Sequence, residues 1–519
     1  MKKINSVFII SLLVVAFFTL WGIISPATFG EVADKTFGFL TEKFGWFYLI
    51  VMFSFVVFVL VIAASKYGDI RLGPDDSKPE YSNISWFAML FSAGMGIGLV
   101  FWGVAEPLNH FLFPGSTSIV PGSPEAADFA ILSSIFHWGL HPWANYTIIA
   151  LPLAYMQFRK NKPGLISSIF IPLIGEEKVR GPIGKIIDIL AIFATVAGVA
   201  TSLGLGVLQI NSGMNYLFGT PINNTVGLII IVVVTGLFMA SAISGINKGI
   251  KFLSNANIAL AGILMLLTFI LGPSLKIVNS LVNGIGQYLF RLVPESMAIS
   301  AFGDNSWIAG WRIFYWAWWI AWAPFVGMFI ARISRGRTIR EFILGVTVIP
   351  ALGSAIWFAI FGTTGLNLGE KIASEAVKVT ETAFFVVMKE IPWGGLISGV
   401  AVILLCTFFI TSADSATFVL GMLSSGGDLN PHVTLKVIWG LIQSGMAYAL
   451  LLAGGLQVLQ TASIVAAFPF AFVMIFAMVS FVKALKKDPY TKISEMAGPV
   501  KEVKAEPKVK LEKGAADKF

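Results

Sequence analysis

Long apolar segments alternate with short polar segments along almost the whole chain. A membrane-spanning helix needs about 20 mostly apolar residues, so each long apolar segment predicts one span. The pattern predicts twelve spans, at 7–25, 46–66, 84–105, 129–157, 185–214, 224–243, 252–272, 308–331, 341–362, 395–421, 433–454 and 459–483. The first apolar run lacks a clear cleavage site and is interpreted as a retained helix rather than a signal peptide. The chain is therefore predicted to be an all-α polytopic membrane protein.

The composition agrees with this pattern. Of the 519 residues 56% are hydrophobic and 12% are charged, and the mean hydropathy is +0.82. A soluble fold could not cover such a core, which excludes a cytosolic enzyme, a secreted disulfide scaffold and a disordered protein. The single cysteine, Cys406, excludes a disulfide framework and a cysteine-based metal site.

Basic residues predict the orientation of the spans. Clusters of Lys and Arg follow even-numbered spans, as at 159–162 and 332–340, whereas 81–158 contains no Lys or Arg. The positive-inside rule therefore places both termini in the cytoplasm. Ten Lys and six acidic residues in 483–519 supply +4 of the net +8. This basic tail is either simply solvated or in contact with anionic membrane lipid, and nothing in the chain indicates binding to nucleic acid.

The third span contains glycine at alternate positions, Gly94, Gly96 and Gly98. Each glycine weakens a helix by about 1 kcal/mol relative to alanine, so a break in the helix is expected. Backbone freed inside a membrane lines a cavity, where it binds ions and carboxylates. The alternative is close helix packing through the GxxxG pair.

The eighth span is rich in tryptophan, with five between Trp311 and Trp322. An interfacial belt explains Trp311 well, but it does not explain tryptophans that continue toward mid-span. Aromatic faces suit a quaternary ammonium group, which is bound by cation–π attraction and apolar contact. No acidic residue is apparent in this cluster, which favours a zwitterion over a bare cation.

The fourth span adds a second group of aromatic residues around Pro142, which is expected to interrupt its helix. His137 and His141 are spaced as in a metal pair, but no carboxylate or thiol lies nearby in the sequence. In the tenth span the adjacent hydroxyls of Thr411 and Ser412 either bond back to the helix or serve as oxygen ligands for sodium.

These segments together resemble the betaine/carnitine/choline transporter family, and within it the sodium-coupled glycine betaine symporters. The resemblance covers about 1–485. Its most specific motifs are GMGIGLVFWGVAEPL at 94–108, HWGLHPWANY at 137–146, ATSLGLGVLQI at 200–210, FYWAWWIAWAPFVGMFIARISRGR at 314–337 and TSADS at 411–415.

The resemblance implies a LeuT-like fold with two inverted five-helix repeats, a bacterial plasma membrane location and a homotrimer. The implied divisions are two N-terminal helices (1–83), a first repeat (84–272), an amphipathic connector at the outer surface (273–307), a second repeat (308–483) and a cytoplasmic tail (484–519).

The resemblance also implies the site residues. The family's aromatic box corresponds to Trp138, Trp143, Tyr146, Trp316, Trp318, Trp319 and Trp322, of which Trp318, Trp319 and Trp322 form the central cage. The substrate carboxylate is expected to meet backbone at Ala93, Met95 and Gly96. One sodium ion is expected at Ser92, Met95, Phe408, Thr411 and Ser412, and a second at Thr195 and Phe325. Val199 replaces a threonine expected at the second ion site.

The implied function is sodium-coupled uptake of glycine betaine by alternating access for osmoprotection, without catalysis. Choline, carnitine and dimethylsulfoniopropionate are the alternative substrates. An enzyme, a channel and an osmosensor without transport are the alternative classes, and measuring solute accumulation separates them from a transporter.

Overall fold

The computed structural model describes residues 5–94, 96–115, 118–244 and 247–490. The helices of this part of the chain are α1 (Ser6–Ile24), α2 (Pro26–Ala64), α3 (Asn83–Gly94), α4 (Ile97–Leu112), α5 (Pro124–Trp138), α6 (Leu140–Ala154), α7 (Ile171–Ile174), α8 (Glu176–Arg180), α9 (Pro182–Phe218), α10 (Asn224–Ser244), α11 (Asn247–Leu271), α12 (Ser274–Ser296), α13 (Phe314–Arg332), α14 (Ile339–Leu366), α15 (Gly369–Ala376), α16 (Ala383–Lys389), α17 (Gly394–Ser424), α18 (Val433–Gly454) and α19 (Leu456–Lys486). A wider π-helical turn, Ile308–Ile313, runs directly into α13.

The long helices are those of a multi-pass membrane protein. Within the described residues, ten helical segments are long and apolar enough to cross a membrane. They correspond to ten of the twelve predicted spans. The third and fourth predicted spans are instead each divided into two shorter helices, α3 with α4 and α5 with α6. The predicted total of twelve spans stays a prediction.

The predicted break in the third span is confirmed. Helix α3 ends at Gly94 and α4 begins at Ile97, with Gly96 in an extended conformation at the start of α4. Met95 lies outside the described residues, and the side chains of Ser92 and Ala93 are likewise not described. The first N–H groups of α4 have no partner within their own helix, so this end of α4 attracts negative charge.

The predicted interruption of the fourth span is confirmed, because α5 ends at Trp138 and α6 begins at Leu140, with Gly139 between them. Pro142 sits in the first turn of α6, where the missing N–H has no partner within the helix in any case. A side chain at Gly139 would collide with the Ile135 carbonyl at 2.7 Å and with Tyr288 Oη at 2.8 Å. The Tyr288 hydroxyl accepts a hydrogen bond from Leu140 N at 2.9 Å, so α12 satisfies one of the groups freed by the break.

Helix α13 lies at the centre of the helices that form the site. It packs against α6, α9 and α19, and nearly all of its side chains between Phe314 and Val326 are buried. Tryptophan at such central positions is not an interfacial belt, because a belt side chain lies at the membrane surface. The connector α12 exposes apolar side chains along its outer side, among them Leu275, Val282, Leu289 and Phe290.

Candidate functional site

Three tryptophans from two helices meet beside the broken helices. The rings of Trp318 and Trp319 are nearly parallel, with centroids 4.9 Å apart and planes inclined by 13°. Trp138, the last residue of α5, stands edge-on to both rings, at 4.8 Å from Trp319 and 6.1 Å from Trp318. All three are at most 5% exposed. The structure therefore brings Trp138 into contact with two residues of the central cage.

The backbone at the helix breaks holds these rings in place. Trp319 Nε1 donates to the His137 carbonyl at 3.0 Å, one of the carbonyls left without a helical partner at the end of α5. Asn145 Nδ2 in turn donates to the Trp319 carbonyl at 2.7 Å, which ties α6 to α13. The start of α4 touches the same rings, because a Cβ at Gly98 would lie 2.6 Å from Trp318 and 3.1 Å from Trp138.

The other members of the aromatic box lie around this cluster. Tyr146 contacts Trp319 with ring centroids 6.4 Å apart, and Trp143 packs edge-on against Tyr146 at 5.6 Å. Trp322 lies one turn further along α13, where its Nε1 donates to the Gly198 carbonyl at 2.7 Å. Trp143, Tyr146 and Trp319 therefore form a continuous aromatic surface from α6 to α13.

Trp316 points elsewhere. Its ring stacks on His141 at 4.7 Å and contacts Phe136 at 5.7 Å. The His141 ring also bonds Ser296 Oγ at 2.9 Å, which links this pair to α12. The described ring contacts thus place Trp316 behind the central cage and not among the rings that face one another.

Sequence reasoning missed two aromatic neighbours of the central cage. The Tyr315 ring stacks with Trp319 at 5.7 Å and lies 5.6 Å from Trp138. The Phe314 ring stacks on Trp318 at 5.5 Å with an angle of 15°. Both residues stood within the quoted tryptophan-rich motif, but their sequence positions did not reveal which way their rings point.

An acidic residue was missed as well, and the expectation that none is near the aromatic cluster was wrong. Glu106 on α4 is completely buried. Its Oε2 accepts hydrogen bonds from Trp138 Nε1 at 3.0 Å and from the Tyr315 hydroxyl. Its Oε1 lies 2.7 Å from His137 Nδ1 and 3.3 Å from His110 Nε2. A carboxylate thus does lie near His137, although it comes from another helix.

A cavity of about 460 Å³ adjoins the central cage. Phe325, Met328, Phe329 and Phe418 form much of its apolar wall, and its polar lining includes Ser241, Arg332, Asp414 and Lys436. Phe325 is also in edge-on contact with Trp322, at 5.5 Å between ring centroids. The cavity therefore extends from Arg332, at the end of α13, and Lys436, near the start of α18, to Phe325, which contacts Trp322 of the central cage.

The first predicted ion site is described only on its α17 side. The Thr411 hydroxyl lies 3.2 Å from the Phe408 carbonyl, a separation at which both oxygens can contact one small cation. Asn257 Nδ2 on α11 donates to Thr411 Oγ1 at 3.1 Å. The buried Asn257 Oδ1 has no hydrogen-bond partner among the described residues, so it offers a further oxygen that the sequence analysis missed.

The second predicted ion site pairs two buried residues on neighbouring helices. Thr195 on α9 is fully buried and its hydroxyl donates to the Ala191 carbonyl at 2.8 Å. Phe325 lies on α13, which packs against α9. Val199, one turn after Thr195, is also buried and supplies no oxygen. The pair therefore offers fewer oxygens than the first predicted site.

Broken membrane helices beside a buried aromatic cluster and a cavity are typical of membrane transport proteins. The comparisons agree with this class. The chain belongs to the betaine/carnitine/choline family of transporters (BCCT), whose family model matches residues 6–490. It is accordingly a transporter and not an enzyme.

Three relatives align with this chain over nearly their whole length. The glycine betaine transporter OpuD of Bacillus subtilis (strain 168) is 51% identical over 94% of this chain and 96% of its own. A probable glycine betaine transporter of Desulfitobacterium hafniense (strain Y51) is 46% identical over 94% and 98%. The ectoine/hydroxyectoine transporter of Virgibacillus pantothenticus is 44% identical over 93% and 97%.

Proposed function

We propose that this protein is a sodium-coupled symporter that accumulates glycine betaine for osmoprotection. The observation that carries the proposal is the contact between the start of α4 and the aromatic rings. Gly98, in the first turn of α4, lies against both Trp318 and Trp138. A helix N-terminus attracts a carboxylate and aromatic faces attract a quaternary ammonium group. The two ends of a short zwitterion therefore have complementary partners within one site.

The substrate would lie across this junction. Its trimethylammonium group would contact Trp138, Trp318 and Trp319, whose paired and edge-on rings provide cation–π attraction and apolar contact. Its carboxylate would approach the N–H groups at the start of α4, beside Gly96, where an added Cβ would meet no other atom within 4 Å. Choline lacks the carboxylate and would leave those N–H groups without a partner.

Sodium coupling is proposed from the oxygens at the helix break. The Phe408 carbonyl and the Thr411 and Ser412 hydroxyls of α17, together with Ser92 and Met95 of the third span, would hold one ion. Asn257 Oδ1 fits the same role, because it is a buried oxygen without a partner among the described residues beside Thr411. The ion would supply the positive charge that draws α17 toward the break. A second ion at Thr195 and Phe325 is less well supplied with oxygens.

Alternating access would proceed through the cavity that adjoins the central cage. Phe325 separates this cavity from Trp322, so a movement of α13 or of the Phe325 ring would connect the site with one side of the membrane. The basic residues Arg332 and Lys436 near the cavity support a cytoplasmic opening, since positive charge accumulates on that side. Release would then occur into the bacterial cytoplasm, where both termini are proposed to lie.

The LeuT-like architecture and the homotrimer belong to the same proposal. The first helix of each proposed repeat is irregular, since α3 is separated from α4 and a π-helical turn precedes α13. The exposed apolar side chains of α12 provide a surface that a second subunit or membrane lipid would cover.

Binding measurements on the purified protein test the proposed substrate. Tryptophan fluorescence is titrated with glycine betaine, choline, carnitine, dimethylsulfoniopropionate and ectoine, each in sodium chloride and in potassium chloride. We expect glycine betaine to bind most tightly and to bind more tightly in sodium chloride than in potassium chloride. Tighter binding of another solute would make that solute the preferred substrate instead of glycine betaine. Equal binding in both salts would refute the proposed coupling to sodium.

A further inference from the structure

Glu106 is a buried acidic residue that accepts hydrogen bonds directly from two of the aromatic side chains. Trp138 Nε1 donates to its Oε2 at 3.0 Å, and the Tyr315 hydroxyl donates to the same oxygen. An indole N–H can only donate, so Oε2 is an acceptor. Both rings in turn contact Trp319. The centroid of the Trp319 ring lies 4.8 Å from that of Trp138 and 5.7 Å from that of Tyr315.

Histidines occupy the other side of the carboxyl group. His137 Nδ1 lies 2.7 Å from Glu106 Oε1, and His110 Nε2 lies 3.3 Å from the same atom. His137 is also fixed by stacking on Tyr315 at 4.8 Å. Both oxygens of the carboxyl group are therefore engaged, and the group connects α4, α5 and α13 at one point.

The same atoms do not favour a metal ion. The candidate ligand atoms of Glu106, His110 and His137 lie within 4.8 Å of one another. A metal on His110 Nε2 and His137 Nδ1 would leave hydrogens on the opposite ring nitrogens, and neither of these nitrogens has an acceptor among the described residues. A metal-bound histidine normally donates its second N–H to a partner, so hydrogen bonding explains the cluster better.

The buried guanidinium group of Arg312 has partners other than Glu106. Arg312 is buried and packs over Phe136 and Trp307. It is already paired with Glu295, whose carboxylate lies 3.0 Å from Nη2 and whose carbonyl lies 2.7 Å from Nη1. No cationic side chain bonds Glu106 among the described contacts, so a bound quaternary ammonium group would be the positive charge that favours its ionised form.

We propose that Glu106 is a positioning residue of the cation site, which orients Trp138 and Tyr315 and places negative charge behind the rings that contact the substrate. An indole that donates to a carboxylate becomes richer in electrons, which strengthens its attraction for a cation. This inference rests on the proposed function, because it assumes that a quaternary ammonium group binds at the central cage.

The test compares glycine betaine with an isostere that lacks the cationic nitrogen, at the same site. 3,3-Dimethylbutanoate has a tert-butyl group in place of trimethylammonium and keeps the carboxylate. In proteoliposomes, Glu106→Gln is expected to raise the KM for glycine betaine by about tenfold, with little change in maximal rate, because one favourable charge interaction is lost. Inhibition by 3,3-dimethylbutanoate is expected to stay within about twofold of the unsubstituted protein, because the isostere has no cation.

A second variant and a matched control complete the test. Tyr315→Phe removes one donor to Glu106 but keeps the ring, and a smaller increase in KM is expected. Asp188→Asn removes another buried carboxylate, whose partner is Ser167 at 2.9 Å from its Oδ1, and should leave KM unchanged. A normal KM and a normal preference for glycine betaine over the isostere in Glu106→Gln would overturn the inference.

Failure of this inference and failure of the proposed function give different experimental results. If the unsubstituted protein neither binds nor transports a quaternary ammonium compound, the proposed function fails. If it transports glycine betaine and Trp319→Ala loses this activity while Glu106→Gln does not, only the role of Glu106 fails. A parallel loss of binding of both the substrate and the isostere in Glu106→Gln would indicate a purely structural role and would also overturn the inference.

Discussion

Gly98 and Trp318 are packed so closely that a methyl group on Gly98 would lie 2.6 Å from the indole ring. Real Cβ atoms do not approach a ring to this distance, so any side chain at position 98 must displace Trp318 or Trp138. The glycine is thus required for the start of α4 to reach the aromatic rings.

Gly98→Ala is expected to raise the KM for glycine betaine by at least about tenfold, because displaced rings lose part of their contact with the cation. Transport kinetics in proteoliposomes provide the measurement. Gly262→Ala in α11 is the matched control, since an added Cβ there meets no atom within 4 Å. Equal KM values for the two variants would show that the start of α4 has no part in the site.

Replacing Trp319 with phenylalanine should weaken substrate binding while the protein still folds. Trp319→Phe keeps an aromatic ring but loses the 3.0 Å bond to the His137 carbonyl. We expect a rise in KM of about tenfold or more, since both ring area and ring orientation are lost. Trp439→Phe is the control, because Trp439 is equally buried and bonds Ser424 Oγ on another pair of helices. Normal affinity in Trp319→Phe would refute the central cage.

Removing the α17 hydroxyls should weaken the dependence on sodium. In the double variant Thr411→Ala, Ser412→Ala, the sodium concentration for half-maximal uptake is expected to rise by about tenfold, as two oxygen ligands are lost. Thr347→Ala is the control, because that buried hydroxyl also bonds the carbonyl four residues earlier, at 2.7 Å. A sodium curve identical to that of the control would exclude this ion site.

Asp488, just after α19, stabilises the junction between α19 and the end of α6. Its buried carboxylate accepts two bonds from Arg159, both at 2.8 Å, and one from Tyr155. Burial alone would raise the pKa of Asp488, but the bonds from Arg159, Tyr155 and Lys160 outweigh burial and lower this pKa below its ordinary value of about 3.8. The lowered pKa means that the charged form stabilises the fold above that ordinary value.

Thermal unfolding in detergent tests this junction. Asp488→Asn should lower the midpoint by several degrees at pH 7, because it leaves Arg159 without its buried partner. The difference from the unsubstituted protein should persist down to pH 5 and should shrink only in more acidic solution, as the carboxylate is protonated. A difference that disappears between pH 8 and pH 6 would contradict the account.

The elements that sequence predicted best were those with a strong local signal. Alternate glycines weaken a helix wherever they occur, and the break between Gly94 and Ile97 followed from them. The density of tryptophan in α13 likewise indicated rings away from an interfacial belt, and those between Trp316 and Trp322 are buried. The fourth span is interrupted at Gly139, within one turn before Pro142, where a proline weakens a helix.

The partners of Glu106 could not be predicted, because they come from two other helices. Trp138 and Tyr315 lie far from Glu106 in the sequence, and α5 and α13 bring them together. A single carboxylate within an apolar segment was nevertheless a signal, since such a group must find partners inside the protein. The orientation of Trp316 away from Trp319 was likewise fixed by tertiary packing, through its contact with His141.

Uptake of radiolabelled glycine betaine into proteoliposomes tests the central claim most directly. The purified protein is given an inward sodium gradient, an inward potassium gradient of equal size, or sodium at equal concentration on both sides. The account predicts accumulation above the external concentration only with the sodium gradient, and loss of this accumulation in Trp319→Ala. Equal accumulation under all three conditions, or full accumulation in Trp319→Ala, would contradict it.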